Sequence, residues 1–428
     1  MYMRGAINRR TRVRQWLTAF SLLACAHSSV AAANANLRLE EAIDRTLAHN
    51  PGLISFGYQL EAQQGRVTQS QVKPAPELGL QVENILGSGF YEDVDGAEAT
   101  LSLGWVLERG KREHYIAASR AGVSALEAQA EVGRLDAIAL TARLFLDNLE
   151  FQERLSLSQE ATAVAEQTVA TVDKRVRAGR APAADLARAQ AELAKVRLTT
   201  LDMEHELAAV RQRLATQWGQ AQPDFQQVIG HWQQLPRPDS FAVLLEQVEL
   251  SPNMSRHLSQ QRLREADLRL AETQAKPDWR VNAGVRHLEL TGDHAFVAGI
   301  TIPLSSQRRN SGRVAEAKAN LALVDAQRTA SRLQIETQLF ALYQALQHSL
   351  HQTETLRDEV IPRLQEAAEQ TRVGYERGRY SFYELQQLQS ELLLTRMSLA
   401  QAAIDARRHQ TEIERLTGAA MPSSVQQP

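Results

Sequence analysis

His348 and His351 stand three residues apart, a spacing that puts two imidazoles on one helix face and could offer a divalent cation two nitrogens. Two ligands alone make a weak site, and the other histidines of the eleven are scattered. No glycine-rich phosphate loop, HExxH pair or serine elbow accompanies them. The more ordered pattern lies around two glycines. "RVRAGRAPAADL" begins at Arg175 and "GYERGRYSFYEL" at Gly374. Each carries a Gly-Arg pair, Gly179-Arg180 and Gly378-Arg379. Each then reaches an acid and a leucine at the same offset, Asp185-Leu186 and Glu384-Leu385. Charged groups without a nucleophile, a ligand set or a phosphate cradle suit contact or ion conduction. They do not suit catalysis, and no cofactor is expected.

The two stretches belong to a duplication with an offset near 200 residues. "HNPGL" at His49 matches "LSPNM" at Leu250, and Lys73-Pro74 matches Lys276-Pro277. Gly219 matches Gly418. The expected division is a leader over 1–32, a first repeat over 33–219, a Pro- and Gln-rich connection over 220–240, a second repeat over 241–418, and a disordered tail over 419–428. Each repeat reads as helix, two strands, long helix, turn and shorter helix.

The elements that carry the two turns are long. Continuous helical patterning predicts helices over Lys111–Ala178 and Asn310–Gly378, each about 100 Å at ~1.5 Å per residue. Leu186, Leu193, Thr200, Leu207 and Leu214 step by seven, as do Leu385, Leu392, Leu399, Ala406 and Ile413, the spacing of a coiled coil. Helix 183–218 is about half as long. Stacked end to end with helix 253–275 it would match one long helix, and helix 381–417 would stack likewise with helix 39–72. A glycine in each hairpin turn supplies the left-handed residue that such turns commonly need.

Four short segments alternate. "ELGLQVENI", "ATLSLGWVL", "WRVNAGVRH" and "AFVAGITIPL" each place apolar residues at every second position, with Ile300, Ile302 and Leu304 sharing a face in the last. Segments of about ten residues with one apolar and one polar surface suit barrel strands between lipid and water. Four strands cannot close a barrel when the smallest outer-membrane barrels use eight. Several chains would therefore contribute to one barrel. A soluble sheet packed on helices is the alternative reading.

The N-terminus carries five arginines and no acid before the apolar run Trp16–Ala26 and a small-residue stretch, the make-up of a secretory signal. Cleavage after Ala32 is the first reading. A lipobox at "LLAC", with Cys25 acylated, is the second. Loss of the leader takes the formal charge from -2 to -7, which disfavours nucleic acid as a partner.

Taken together, the duplicated helix–strand–strand–helix plan and the two glycine turns resemble the TolC-like outer-membrane efflux family over essentially the whole mature chain. Three stretches resemble its heavy-metal branch, the outer-membrane component of cobalt–zinc–cadmium efflux systems. They are "PELGLQVENILGSG" from Pro76, "LERGKR" from Leu107 and "IPLSSQRRNSG" from Ile302. Ser305, Ser306 and Gln307 depart from that branch's usual aromatic or Leu-Phe pair and asparagine-arginine.

The resemblance implies a mainly α fold with a small β part: a homotrimer with a twelve-stranded outer-membrane barrel and a periplasmic helical tunnel. It implies a passive exit duct, not an enzyme, working with a periplasmic adaptor and an inner-membrane RND-type pump. It also assigns roles by position. Ala178, Gly179, Arg180, Arg377, Gly378 and Arg379 would meet the adaptor. Tyr375 would be a latch tyrosine and Asp185 its acidic partner. Glu384 would line the aperture, with Gln387 where some members carry a second acid and Tyr380 where some carry a latch arginine. Divalent heavy-metal cations are the implied cargo. Drug efflux, type I secretion or a pore-free periplasmic scaffold are the other readings.

A barrel shared between chains predicts a trimer whose β structure resists heat in mild detergent. Sizing and heat-modifiable gel migration check this; a water-soluble monomer missing from membrane fractions would exclude the duct.

Overall fold

The computed structural model describes residues 36–304 and 306–419. The leader, Cys25, Ser305 and all of the tail but Ala419 lie outside the described residues.

The chain runs β1 (Asn36–Arg38), α1 (Leu39–His49), α2 (Pro51–Gln71), β2 (Glu77–Glu83), β3 (Glu98–Leu107), α3 (Lys111–Arg177) and α4 (Ala183–Ala215). β4 (Gln227–Ile229) then leads into α5 (Phe241–Leu250), α6 (Pro252–Gln274), β5 (Trp279–Leu288) and β6 (Asp293–Thr301). The short α7 (Ser306–Arg309), α8 (Ser311–Thr355), α9 (Ile361–Glu376) and α10 (Phe382–Thr417) complete it. The chain is mainly helical with a small β part, as its alanine- and leucine-rich heptads require.

Several details differ from the sequence-based expectation. Helix 39–72 breaks at Asn50, because Pro51 lacks an N–H and the Asn50 side chain caps the new helix by accepting from Gly52 N at 2.9 Å and Leu53 N at 3.1 Å. The second long helix changes to a π turn over Leu356–Val360, just before Pro362, which removes an amide donor from the ladder. β6 starts at Asp293 and stops at Thr301, so Ile302 and Leu304 lie past its end. Pro303 has no N–H to continue the ladder. The connection 220–240 also holds β4, which pairs in parallel with β1.

The half-length helices stack within each repeat, not across repeats. α4 abuts α2: the Asn50 amide donates to Gln217 O at 2.8 Å. α10 abuts α6: Asn253 donates to Arg415 O at 3.3 Å. The helix break at Asn50-Pro51 and its counterpart at Ser251-Pro252 face the helix ends at Gly219 and Gly418. The cross-repeat expectation fails because each short connection ends beside the helix end of its own repeat.

β2, β3, β5 and β6 form one antiparallel sheet in that order. The register puts Leu80, Leu101, Val285 and Phe296 in one row across all four strands. Leu78, Leu103, Ala283 and Ala298 form the next. This face is apolar yet exposed, with Leu78 at 74% and Phe296 at 76%. The opposite face carries Arg286, which donates to Glu98 at 2.6 Å, Thr100 at 2.9 Å and Glu83 at 3.1 Å, tying three strands together.

The two repeats join at mid-length through a partly buried charge cluster. Arg408 on α10 donates to Asp147 and Glu150 on α3 at 2.7 and 2.5 Å and to Asp405 at 2.7 Å. Burial alone would lower its pKa, but the carboxylates outweigh that and hold it charged. Around this lies an apolar core built on Phe145, Leu146, Leu214, Trp218, Val228 and Ile404.

Glu414 sits nearby with less help. It is buried, and its carboxylate accepts one bond, from Gln410 at 3.0 Å. Burial raises its pKa above 4.5 in the fold. A raised carboxyl pKa means the folded state holds the proton longer, so stability falls as pH climbs from the unfolded to the folded pKa. Glu414→Gln is expected to raise the denaturation midpoint at neutral pH. The gain should vanish below about pH 4.5, where both states are protonated. Thermal melts at the two pH values check this.

Candidate functional site at the hairpin tips

Both long hairpins turn at the end remote from the sheet. At the first tip Gly179 N donates to Val176 O at 2.9 Å and Arg180 N to Arg175 O at 2.8 Å. At the second, Gly378 N donates to Tyr375 O at 3.0 Å and Arg379 N to Gly374 O at 2.8 Å. These are the same helix-ending motif, each closed by a glycine in the left-handed region, φ 67° and 77°. A side chain there would strain the backbone, so the repeated glycine has a local cause.

The next helices start alike. Asp185 and Glu384 both occupy the third helical position. In α10 the arrangement is a complete capping box: Glu384 N donates to Ser381 Oγ at 3.3 Å, and Ser381 N donates to the Glu384 carboxylate at 2.7 Å. That backbone bond, then the Ser381 hydroxyl, hold the Glu384 carboxyl below its ordinary value. Pro182 offers no such side chain, which leaves Asp185 uncapped and half-buried.

The tips pack on each other through Val172, Ala189, Tyr375, Phe382 and Leu385. Tyr375 is 2% exposed and its hydroxyl finds no hydrogen-bond partner. Burial pushes its pKa up, the Arg175 charge opposes this and the Asp185 charge adds to it. The structure thus gathers Tyr375 and Asp185 at one place without a hydrogen bond between them. Glu384 and Gln387 are exposed. Ala178, Gly179, Arg180, Arg377, Gly378 and Arg379 form the solvent-facing ends.

Arg175 escaped the sequence reading. Its guanidinium lies 4.5 Å over the Tyr375 ring, donates to the Tyr375 carbonyl, and donates to Arg180 O at 3.3 Å. It therefore clips one tip to the other. The repeat offset sets Arg175 opposite Gly374, and Ala181 opposite Tyr380. Gly374 is small because the Tyr380 ring fills its side, where a Cβ would meet Cδ2 at 2.3 Å. The duplicated turn has exchanged which position is large.

Elsewhere His348 and His351 are exposed, and no group of three or more His, Cys, Asp or Glu could hold a metal among the described residues. No helix among the described residues is long and apolar enough to cross a membrane. Among the described residues the apolar face of the four-stranded sheet remains exposed and unpartnered.

An amphipathic sheet at one end of two very long helical hairpins is the plan of an outer-membrane channel with a helical extension. The outer membrane efflux protein family model matches residues 22–220, the leader's end and the first repeat. It is 25% identical over 382 residues to the cobalt-zinc-cadmium resistance protein CzcC of Cupriavidus metallidurans, covering 89% of this chain and 90% of that one. Among solved structures it is similar to the outer membrane protein VceC of Vibrio cholerae, with TM-score 0.70, 18% identity and 89% and 96% of the two chains covered. It is also similar to CusC, described with transmembrane channel formation, with TM-score 0.73, 16% identity and 89% and 92% covered. The match and the relatives are those of outer-membrane efflux channels of the kind that serve tripartite pumps, and the matched family is one of passive channels.

Arg175→Ala is expected to free the tips from each other. Trypsin should then cut at Arg377 or Arg379 at least several-fold faster, while the heat-resistant β structure stays intact. Equal cleavage rates would remove Arg175 from this role.

Proposed function

We propose that this chain is the exit duct for divalent heavy-metal cations in an RND-driven pump, acting as a homotrimer docked on a periplasmic adaptor. The observation that carries the cargo is the 25% identity to a cobalt-zinc-cadmium resistance protein, over 89% of this chain and 90% of that one. Energy comes from the inner-membrane partner. The chain supplies a path and a gate.

The tips are the gate in this reading. Ala178-Gly179-Arg180 and Arg377-Gly378-Arg379 are exposed turns suited to receive the adaptor. Adaptor contacts favouring an open arrangement would shift its population. Tyr375 and Asp185 lie between the two hairpins, where such a shift would be felt. Three copies of Glu384 around one axis, with Asp185 behind and Gln387 neutral, would concentrate cations at the aperture. The capping box supports this role for Glu384, because it keeps the carboxylate ionised and fixed in place.

Two measurements test the proposal. A deletion strain should lose resistance to cobalt, zinc or cadmium before it loses resistance to organic drugs; the reverse order would assign a drug duct. Glu384→Gln retains a side chain that can serve the capping box, so the trimer should form normally. Single-channel recordings should show lower cation preference and weaker block by multivalent cations. Unchanged selectivity would take Glu384 off the aperture.

A further inference from the structure

We propose that the β5–β6 hairpin carries a surface site for a borderline divalent cation of the zinc, nickel or copper(II) class, formed by His287 and His294. The two residues are direct partners in the ladder, and their rings lie 4.7 Å apart centre to centre. Both sit on the face of the sheet that holds Val285 and Phe296, two ladder pairs from that row and at the end remote from the helices. In an outer-membrane channel this end faces the exterior. The site is thus separate from the gate and the lumen.

The geometry around His287 orients it as a ligand. Its Nε2 lies 3.3 Å from the Glu289 carboxylate. A carboxylate beside Nε2 favours the proton there and the lone pair on Nδ1, and Nδ1 is buried with no hydrogen-bond partner. A carboxylate on one nitrogen and a vacant lone pair on the other is how metal-bound histidines are commonly held. Opposed residues in a ladder start from Cβ atoms about 5 Å apart. A tetrahedral cation with metal–nitrogen bonds of about 2.0–2.1 Å asks for two nitrogens about 3.3 Å apart. The exposed His294 is the ring free to turn toward this separation, while His287 keeps its place beside Glu289. Imidazole suits zinc, nickel and copper better than magnesium or calcium, and water would complete the coordination. Asp293, beside His294 in sequence, adds negative charge to the hairpin end. Bound metal would cross-link β6, the edge strand, to β5.

The test uses the detergent-solubilised full-length protein stripped with a chelator. Titration with zinc chloride should show a site that weakens roughly tenfold or more in His287→Ala and in His294→Ala. His348→Ala should leave that site unchanged. Equal zinc binding in all three variants would overturn the proposal, as would wild-type protein that binds no zinc below about millimolar. Copper(II) added to the wild type should give an electron paramagnetic resonance spectrum with two imidazole nitrogens. A spectrum with one nitrogen or none would overturn it even if a variant failed to fold.

Discussion

An open four-stranded sheet with one apolar face cannot stay as it is. Among the described residues β2 pairs only with β3 and β6 only with β5, so two edges present unpaired N–H and C=O groups. In hydrocarbon each such group costs several kcal/mol, and a closed barrel is the β arrangement that leaves none. The apolar rows from Leu78 to Ile300 demand lipid, while the open edges forbid it to a single chain. Closure by further copies resolves the conflict. The helices inherit the consequence, because helices that continue from a barrel strand must continue its ring. Two long hairpins hanging from one sheet follow from that.

The duplication shows how a repeated sequence meets a structure that is not quite symmetric. Backbone features repeat closely: the Asn50-Pro51 and Ser251-Pro252 breaks, the glycine ends at Gly179 and Gly378, and the acids at the third helical position. Side chains that reach across the repeats do not. Arg175 faces Gly374 in the alignment of the halves, and Ala181 faces Tyr380. Only one arginine is needed to clip two tips together, and only one glycine is needed to seat the Tyr380 ring. At mid-length Arg408 reaches from α10 to Asp147 and Glu150 on α3. The local backbone is copied, whereas contacts between the copies had to diverge.

Much of the fold was legible because its signals are local. Alternation in "ELGLQVENI" and heptads from Leu186 to Leu214 follow from the periods of strand and helix, so the elements emerged near their true ends. Pro303 and Pro362 show where such reading fails. A missing amide donor ends β6 and widens the helix to a π turn, yet apolar periodicity runs on past both. β1 and β4 were illegible, since three-residue strands carry no period and their partner lies about 190 residues away. At the tips, the glycines and the acids at the third helical position were visible as repeats. Arg175 was not, because its function lies in a carbonyl and a ring 200 residues distant.

By itself the sequence determined the repeat, the helix and strand periods, the left-handed glycine turns and the amphipathic character of each strand. Each depends on residues within one or two turns of chain. Tertiary structure decided which half-length helix continues which, how four strands register into continuous apolar and polar faces, and that Tyr375 is buried under Arg175. It also set two distant charges beside Arg408 and left the Tyr375 hydroxyl and His287 Nδ1 without partners. Such facts depend on which surfaces meet after the chain has turned back on itself. No local period records that meeting.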